Sequence, residues 1–302
     1  MTDVDIRFYF DPVCPFAWMT SKWVRMVAAQ RNYTVDWRFI SLRLINSGID
    51  YDSHFPAGYE EGHTSGLRLL RVAARARAEH GRPATGAFYE TVSSQIFDAP
   101  GAAGLSAATR GSRAFVEPLL VRAALPAGLA DALDDTRWDS EIQAEGDEGL
   151  SLTGRDVGTP IIHFSPPAGP AFFGPVISRL PGPEEAVRLW DHVTALAGFP
   201  GFAELKRSLR ERPQLRSFGV QPGTAAQPKT GTPAAANQRY SLSTLAASKP
   251  PGAGIRAPPP PSWQRPSARA VQAAPAQRSD RQLVRTRGTC RRASGTRASR
   301  RS

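Results

Sequence analysis

The apolar and polar positions near the amino terminus change period twice. A short, almost wholly apolar run predicts a buried strand over residues 5–11. Residues 15–30 carry apolar side chains at helical spacing, which predicts an α-helix. Alternation over residues 33–42 predicts a second strand, so this order gives a βαβ unit with parallel strands. Residues 43–58 contain glycine, proline and asparagine and are expected to form a loop.

The middle of the chain has a helical pattern, and strand signals return near its end. Between about residues 60 and 150 the apolar residues recur at helical spacing. Two apolar segments, 160–164 and 171–174, flank a proline-rich turn and predict a hairpin. Helices are expected from Pro183 and from Gly201 to about Arg210. The order βαβ, helical block, ββα predicts an α/β protein, a thioredoxin fold with an inserted helical subdomain.

Charge divides the chain into two parts. The formal net charge is +11, but residues 216–302 hold sixteen Lys or Arg and one acid, Asp280, which leaves 22 basic and 26 acidic residues for the first part. The tail also holds eleven of the 27 prolines and has no hydrophobic period. It cannot bury enough apolar surface to offset chain entropy. We therefore expect a folded domain over residues 1–214 and a disordered Pro/Arg-rich tail over residues 215–302.

The composition also limits partners and location. The arginine-rich end of the tail could bind nucleic acid or anionic lipid. We favour the alternative that the tail is a solvated extension without function, or a product of frame-shifted or read-through coding, so nucleic acid is expected as a partner only through the tail. The two cysteines, Cys14 and Cys290, fit a reducing cytoplasm. The chain has no basic leader and no stretch of about 20 apolar residues, which predicts a cytoplasmic protein without a membrane partner.

Cys14 is the strongest candidate for chemistry. It follows the first predicted strand and precedes Pro15, which suits a first helical turn because no backbone N–H is needed there. Unpaired N–H groups and the helix macrodipole favour a thiolate, so the pKa of Cys14 is expected below the free-cysteine value of about 8.5. The alternative is a small cysteine packed in the core. Ala17 stands where the second cysteine of a Cys-x-x-Cys motif would be. The chemistry that remains possible therefore uses the single thiol of Cys14.

A second signal, Gly158-Thr159-Pro160, lies directly before the hairpin. X-Pro bonds in folded proteins are cis in only about 5–6% of cases. In a thioredoxin fold this position normally holds a cis-proline facing the thiol, and we therefore favour the cis form. Thr159 would then offer its backbone N–H and C=O groups to a bound thiol compound or peptide. The alternative is a trans-proline that starts an edge strand.

These motifs, together with Phe172-Phe173-Gly174-Pro175, resemble those of DsbA-like thioredoxin-fold oxidoreductases. More narrowly, the chain resembles the actinobacterial mycothiol-dependent nitroreductase family over roughly residues 5–212. The resemblance implies that Cys14 is the nucleophile, and that the substrate- and thiol-binding residues are Pro15, Phe16, Trp18, Thr159 and Pro160. Ala17 departs from the best-described members, which have a resolving cysteine there.

The leading hypothesis is a thiol-disulfide-type oxidoreductase that uses a single cysteine. By resemblance, mycothiol or another low-molecular-weight thiol is its cosubstrate, and mixed disulfides, nitro compounds or other electrophilic small molecules are reduced. One alternative is a thiol transferase or isomerase like the kappa-class glutathione transferases, which tend to use serine at this position. Another is a non-catalytic thiol-binding or redox-sensing module. The sequence does not indicate an oligomeric state.

We predict no metal and no tightly bound cofactor. The sequence contains no G-x-G-x-x-G, P-loop or H-E-x-x-H motif. The histidines lack metal-ligand spacing, although His163 on the hairpin could reach the site. The histidines are His54, His63, His80, His163 and His192.

Overall fold

The computed structural model describes residues 4–207 and 211–221. Within these residues a mixed sheet contains four strands in the order β2-β1-β3-β4. Strand β1 runs parallel to β2 and antiparallel to β3, which pairs antiparallel with β4. The strands are β1 (Ile6–Phe10), β2 (Val35–Phe39), β3 (Ile161–Phe164) and β4 (Ala171–Phe173). This topology is that of a thioredoxin fold, and the predicted fold class is confirmed.

Helix α1 (Pro15–Arg31) connects β1 to β2, as the βαβ prediction requires. It begins with Pro15, whose fixed φ suits a first turn. It ends at Asn32, which has a left-handed conformation with φ of 55°. Asparagine adopts this conformation more readily than most residues, because its short polar side chain hydrogen-bonds locally. The sequence thus determines both ends of the helix that carries Cys14.

The helical block is inserted between β2 and β3. Its two longest helices are α4 and α5, and none of the described helices is both long and apolar enough to span a bilayer. The short helices α2 and α3 lie where a loop was expected, because one turn is too short to show periodicity. The helices are α2 (Leu42–Ile45), α3 (Tyr51–His54), α4 (Tyr59–His80), α5 (Arg82–Phe97), α6 (Ala107–Arg110), α7 (Arg113–Arg122) and α8 (Asp139–Thr153). The segments Ala102–Gly104, Ala127–Asp134 and Thr136–Trp138 form 3-10 turns.

The carboxyl-terminal helices follow the prediction only in part. Helix α9 (Pro183–Ala197) follows β4, as expected. The helix expected from Gly201 is absent from 201–207, and residues 208–210 lie outside the described ranges. In this stretch Leu205 is 82% exposed, so a helix here would have little apolar surface to bury.

The packed domain continues past the boundary expected at residue 214. Leu215 is buried in the hydrophobic core, and Arg216–Phe218 forms a 3-10 turn. The backbone N–H of Gln214 donates to the carbonyl oxygen of Ser178 at 2.7 Å. The expected boundary is therefore too early. The predicted disorder of residues 222–302 concerns a segment outside the described residues and stays a prediction.

An aromatic cluster holds the sheet against the helical block. The ring of Tyr89 on α5 stacks on Phe10, with centroids 3.8 Å apart, and meets the edge of Trp18. Trp37 on β2 also packs against Phe10. Since Phe10 ends β1 and Trp18 lies in the first turns of α1, the cluster fixes both sides of the segment that carries Cys14.

Candidate active site

Cys14 lies between the first strand and the first helix. It is the N-cap residue of α1, and its sulfur accepts a hydrogen bond from the backbone N–H of Ala17 at 3.4 Å. Its own N–H donates to the carbonyl oxygen of Asp11, and its carbonyl oxygen accepts from the N–H of Trp18. The residue therefore has the helix-terminal position that the Cys-Pro sequence predicts.

The Thr159–Pro160 segment lies opposite Cys14. The peptide bond before Pro160 is cis, the form that the sequence favoured. The Cys14 thiol donates to the Thr159 carbonyl oxygen across 3.5 Å. The hydroxyl of Thr159 donates to the carbonyl oxygen of Tyr9, and the N–H of Gly174 donates to that of Pro160. The structure thus brings together Cys14, Thr159 and Pro160, and the Thr159 carbonyl already accepts one hydrogen bond, from the thiol.

Burial changes the acidity that was expected for Cys14. The side chain is 7% exposed, and loss of hydration raises the pKa of the thiol to about 12. The N–H groups of Ala17 and Phe16 lower this pKa, while the negative charge of Asp11 raises it. Desolvation is the largest of these effects. The expectation of a low-pKa thiolate is therefore wrong, because burial outweighs the helix N-terminus and favours the protonated thiol.

The remaining predicted site residues differ in their accessibility. Pro15 and Phe16 are partly exposed at the start of α1. Ala17 is fully buried, and Trp18 is 3% exposed. The indole N–H of Trp18 donates to the carboxylate of Asp98 at 2.8 Å. Trp18 therefore links α1 to the end of α5, and a ligand could contact its ring only after a rearrangement.

The side-chain hydrogen bond of His163 lies within the hairpin and does not involve Cys14. Its Nε2 atom is 3.1 Å from the carbonyl oxygen of Gly169 within the hairpin. Burial lowers the pKa of His163, because the charged form loses hydration. In register His163 lies opposite Arg7, and within the described ranges no group of metal-ligating side chains forms a site. The hairpin hydrogen bond gives His163 a structural role.

Asp11 is a site residue that the sequence analysis missed. Its carboxylate is fully buried, and it accepts backbone N–H bonds from Val13 at 3.0 Å and from Leu42 at 2.8 Å. Burial raises the pKa of Asp11 to about 7, although both N–H groups and Arg110 lower it. An acid three residues before a candidate nucleophile, directly after a buried strand, is the signal that could have identified it.

A cysteine at the N-terminus of the first helix, opposite a cis-proline in a thioredoxin fold, defines a thioredoxin-fold thiol protein. Residues 13–207 match the family described as "Rv2466c-like: Mycothiol-dependent nitroreductase Rv2466c". The chain belongs to this family.

Two individual proteins are also similar to the chain. Uncharacterized protein Rv2286c of Mycobacterium tuberculosis (strain H37Rv) is 32% identical over 208 residues, which cover 68% of this chain and 82% of the relative. A solved structure of 2-hydroxychromene-2-carboxylate isomerase aligns with 63% of this chain and 95% of its own, at 13% identity and a TM-score of 0.41.

Proposed function

We propose that the protein is a thiol-dependent oxidoreductase that works with Cys14 alone. Mycothiol or another low-molecular-weight thiol is its cosubstrate, and mixed disulfides, nitro compounds or other small electrophiles are its substrates. The observation that carries this proposal is the position of the Cys14 sulfur at the start of α1, 3.5 Å from the Thr159 carbonyl. Membership of the family supports the choice of cosubstrate. We also propose that the protein works in a reducing compartment, where Cys14 stays a thiol.

The disulfide reaction balances with one enzyme cysteine. Deprotonated Cys14 attacks one sulfur of a disulfide R–S–S–R′, forms Cys14–S–S–R and releases R′–S⁻, which takes up a proton. A thiol R–SH, as its thiolate, then attacks the R sulfur, forms R–S–S–R and releases Cys14. The thiol R–SH is oxidised and the R′ sulfur is reduced. Ala17 supplies no sulfur, so the second step needs an external thiol.

Access and ionisation are linked in this proposal. Cys14 is nearly enclosed and its thiol donates to Thr159, so a substrate disulfide reaches the sulfur only when the site opens. Opening also hydrates the sulfur, which removes the main cause of its high pKa. The thiolate therefore forms in the open state, where its substrate can approach.

A second candidate function follows from the neutral thiol. In a transferase or isomerase of the kappa-class type, the residue at this position stabilises the thiolate of a bound cofactor. A Cys14 thiol with a pKa of about 12 stays protonated at neutral pH and can donate its hydrogen to such a thiolate. The third candidate is a thiol-binding or redox-sensing module without turnover.

Mass spectrometry and turnover separate these functions. The purified protein and a Cys14→Ser variant are exposed to oxidised mycothiol and to oxidised glutathione, and intact masses are compared. An oxidoreductase forms an adduct at Cys14 that excess thiol removes, and the variant forms none and loses turnover. An isomerase-type enzyme keeps much of its turnover with serine at position 14. A protein that binds thiols and turns over neither kind of substrate is the binding module, and an absent adduct rejects the leading proposal.

A further inference from the structure

Asp11 connects the segment that carries Cys14 to the helical block. One carboxylate oxygen accepts from the N–H of Val13, which is adjacent to Cys14, and the other accepts from the N–H of Leu42. Leu42 is the first residue of α2, so its N–H has no partner within that helix. A single carboxylate therefore bridges the segment between β1 and α1 and the N-terminus of α2.

We propose that Asp11 is the positioning residue for Cys14: its buried carboxylate fixes the 11–14 segment and places a negative charge that opposes ionisation of the sulfur. This inference deepens the proposed function, because it concerns the reactivity of the same thiol. It is independent of which thiol or electrophile the protein uses.

Close packing keeps this carboxylate in place. Helix α4 passes over it at Gly66, where an added Cβ atom would lie 2.5 Å from the Asp11 Oδ1 atom and 2.7 Å from a methyl carbon of Val13. A side chain at position 66 would displace one of them. The arrangement therefore leaves the carboxylate of Asp11 little room to turn away from its two N–H partners.

A charged Asp11 carboxylate in this buried position lowers the stability of the folded protein. A residue that is retained at such a cost is expected to do more than fill space. Among the described residues no cation forms an ion pair with it, and Arg110 on α6 acts only from a greater distance. A buried carboxylate without an ion pair costs stability relative to its neutral form. The other groups that face Asp11 are the Cys14 thiol and the phenols of Tyr51 on α3 and Tyr89 on α5.

The test uses the pH dependence of Cys14 reactivity. The rate of reaction with a small pyridyl disulfide reagent is measured from pH 5 to pH 9 in the wild-type protein and in Asp11→Asn. With Asp11 ionising near pH 7, its charge opposes the thiolate only above that pH. We expect the ratio of variant to wild-type rate to rise about tenfold between pH 5.5 and pH 8.5, since a nearby charge shifts a pKa by about one unit or more.

A matched control variant shows whether a loss of stability by itself changes the pH dependence of Cys14 reactivity. Glu145 on α8 is also a buried carboxylate that accepts a backbone N–H, that of Phe39, but it is paired with Arg38. Glu145→Gln should lower stability and leave the pH dependence of the rate unchanged. A ratio for Asp11→Asn that does not vary with pH means that Asp11 is merely structural, and it overturns the proposal.

The wild-type protein alone gives a second measurement if Asp11→Asn does not fold. The logarithm of its reaction rate should rise with pH with unit slope, rise less steeply between about pH 6 and pH 8 as Asp11 ionises, and then return to unit slope. The tyrosines ionise above this range, and Arg110 stays charged through it. A straight line through pH 7 overturns the proposal. Because the reagent reacts without cosubstrate, this result does not depend on whether the protein turns over thiols.

Discussion

The Cys14 sulfur lies 3.5 Å from the carbonyl oxygen of Thr159 and donates its hydrogen to it. The bond joins the start of α1 to the cis peptide at Pro160, which are 145 residues apart in sequence. The hydrogen exists only on the neutral thiol. This arrangement therefore favours the protonated thiol and limits access to Cys14, which is 7% exposed.

The first prediction concerns the acidity of Cys14. Because burial raises its pKa to about 12, alkylation by iodoacetamide should be slow at pH 7 and should become faster up to pH 10 without reaching a plateau. The measurement is the rate of mass gain against pH, with Cys14→Ser as the control for reaction elsewhere. A plateau below pH 9 would mean that the thiol ionises easily, as the helix position alone suggested.

The second prediction concerns the missing second thiol. In Ala17→Cys the new cysteine lies in the first turn of α1, three residues after the N-cap Cys14, and the N–H of residue 17 already contacts the Cys14 sulfur. We expect an internal disulfide to form on oxidation and mixed disulfides at Cys14 to become short-lived. The parent should instead accumulate a stable adduct with the added thiol.

Intact mass before and after oxidation distinguishes these two results. Ala17→Ser is the matched control, since it adds a polar atom of similar position without a thiol. A variant that folds but forms no internal disulfide would show that the geometry assigned to residues 14–17 is wrong.

The third prediction concerns the C-terminal limit of the domain. Leu215→Ala removes a side chain that is 1% exposed, so the free energy of unfolding should fall by about 2–4 kcal/mol. Leu205→Ala removes the same atoms at an 82% exposed position and should change it by less than about 0.5 kcal/mol. Denaturant unfolding measures both values. Equal effects would mean that residues 211–221 do not pack on the domain in solution.

The fourth prediction concerns the hairpin that follows Pro160. A Cβ atom at Gly169 would overlap the backbone carbonyl oxygen of Phe164, which cannot move without displacing β3. We expect Gly169→Ala to lower the melting temperature by several degrees, or to prevent folding. Gly48→Ala is the control, because nothing lies within 4 Å of a Cβ atom there. Thermal unfolding of both variants decides the point, and similar melting temperatures would contradict it.

The fifth prediction concerns His63, whose Nδ1 atom is 3.0 Å from the Tyr51 hydroxyl. Burial lowers the pKa of His63 from 6.5 to about 4, so the unfolded chain takes up its proton at a higher pH than the folded one. The neutral His63 side chain therefore contributes its full share of the free energy of unfolding above pH 6.5. This contribution is lost as the pH falls through about 4. The loss is about 3 kcal/mol at most.

Asp11 titrates in an overlapping pH range, but its raised pKa makes the folded protein less stable as the pH rises, opposite to His63. A comparison of the wild-type protein with His63→Gln separates the contribution of His63 from that of Asp11. The difference between the unfolding free energies of the two proteins should shrink between pH 6.5 and pH 4. A difference that is independent of pH would show that His63 is hydrated in the folded protein.

Local pattern determined the order of the elements and the position of Cys14. The apolar run before Cys14, the proline after it and the apolar segments on either side of the hairpin turn each constrain the backbone within a few residues. For that reason the βαβ unit, the helical block and the hairpin could be predicted, and Cys14 could be placed at a helix N-terminus next to Pro15. The short helices α2 and α3 could not, since a single turn has no period to detect.

Only the tertiary structure decided the chemical state of the site. The helix position of Cys14 favours a thiolate, but desolvation by burial outweighs it, and the sulfur contacts Thr159, which is 145 residues away in sequence. Asp11 is enclosed because α2 and α4 pack against its carboxylate. Trp18 is buried, and its indole N–H donates to Asp98 at the end of α5. Acidity and access depend on the solvation and charge of the surroundings, and those are properties of the assembled fold.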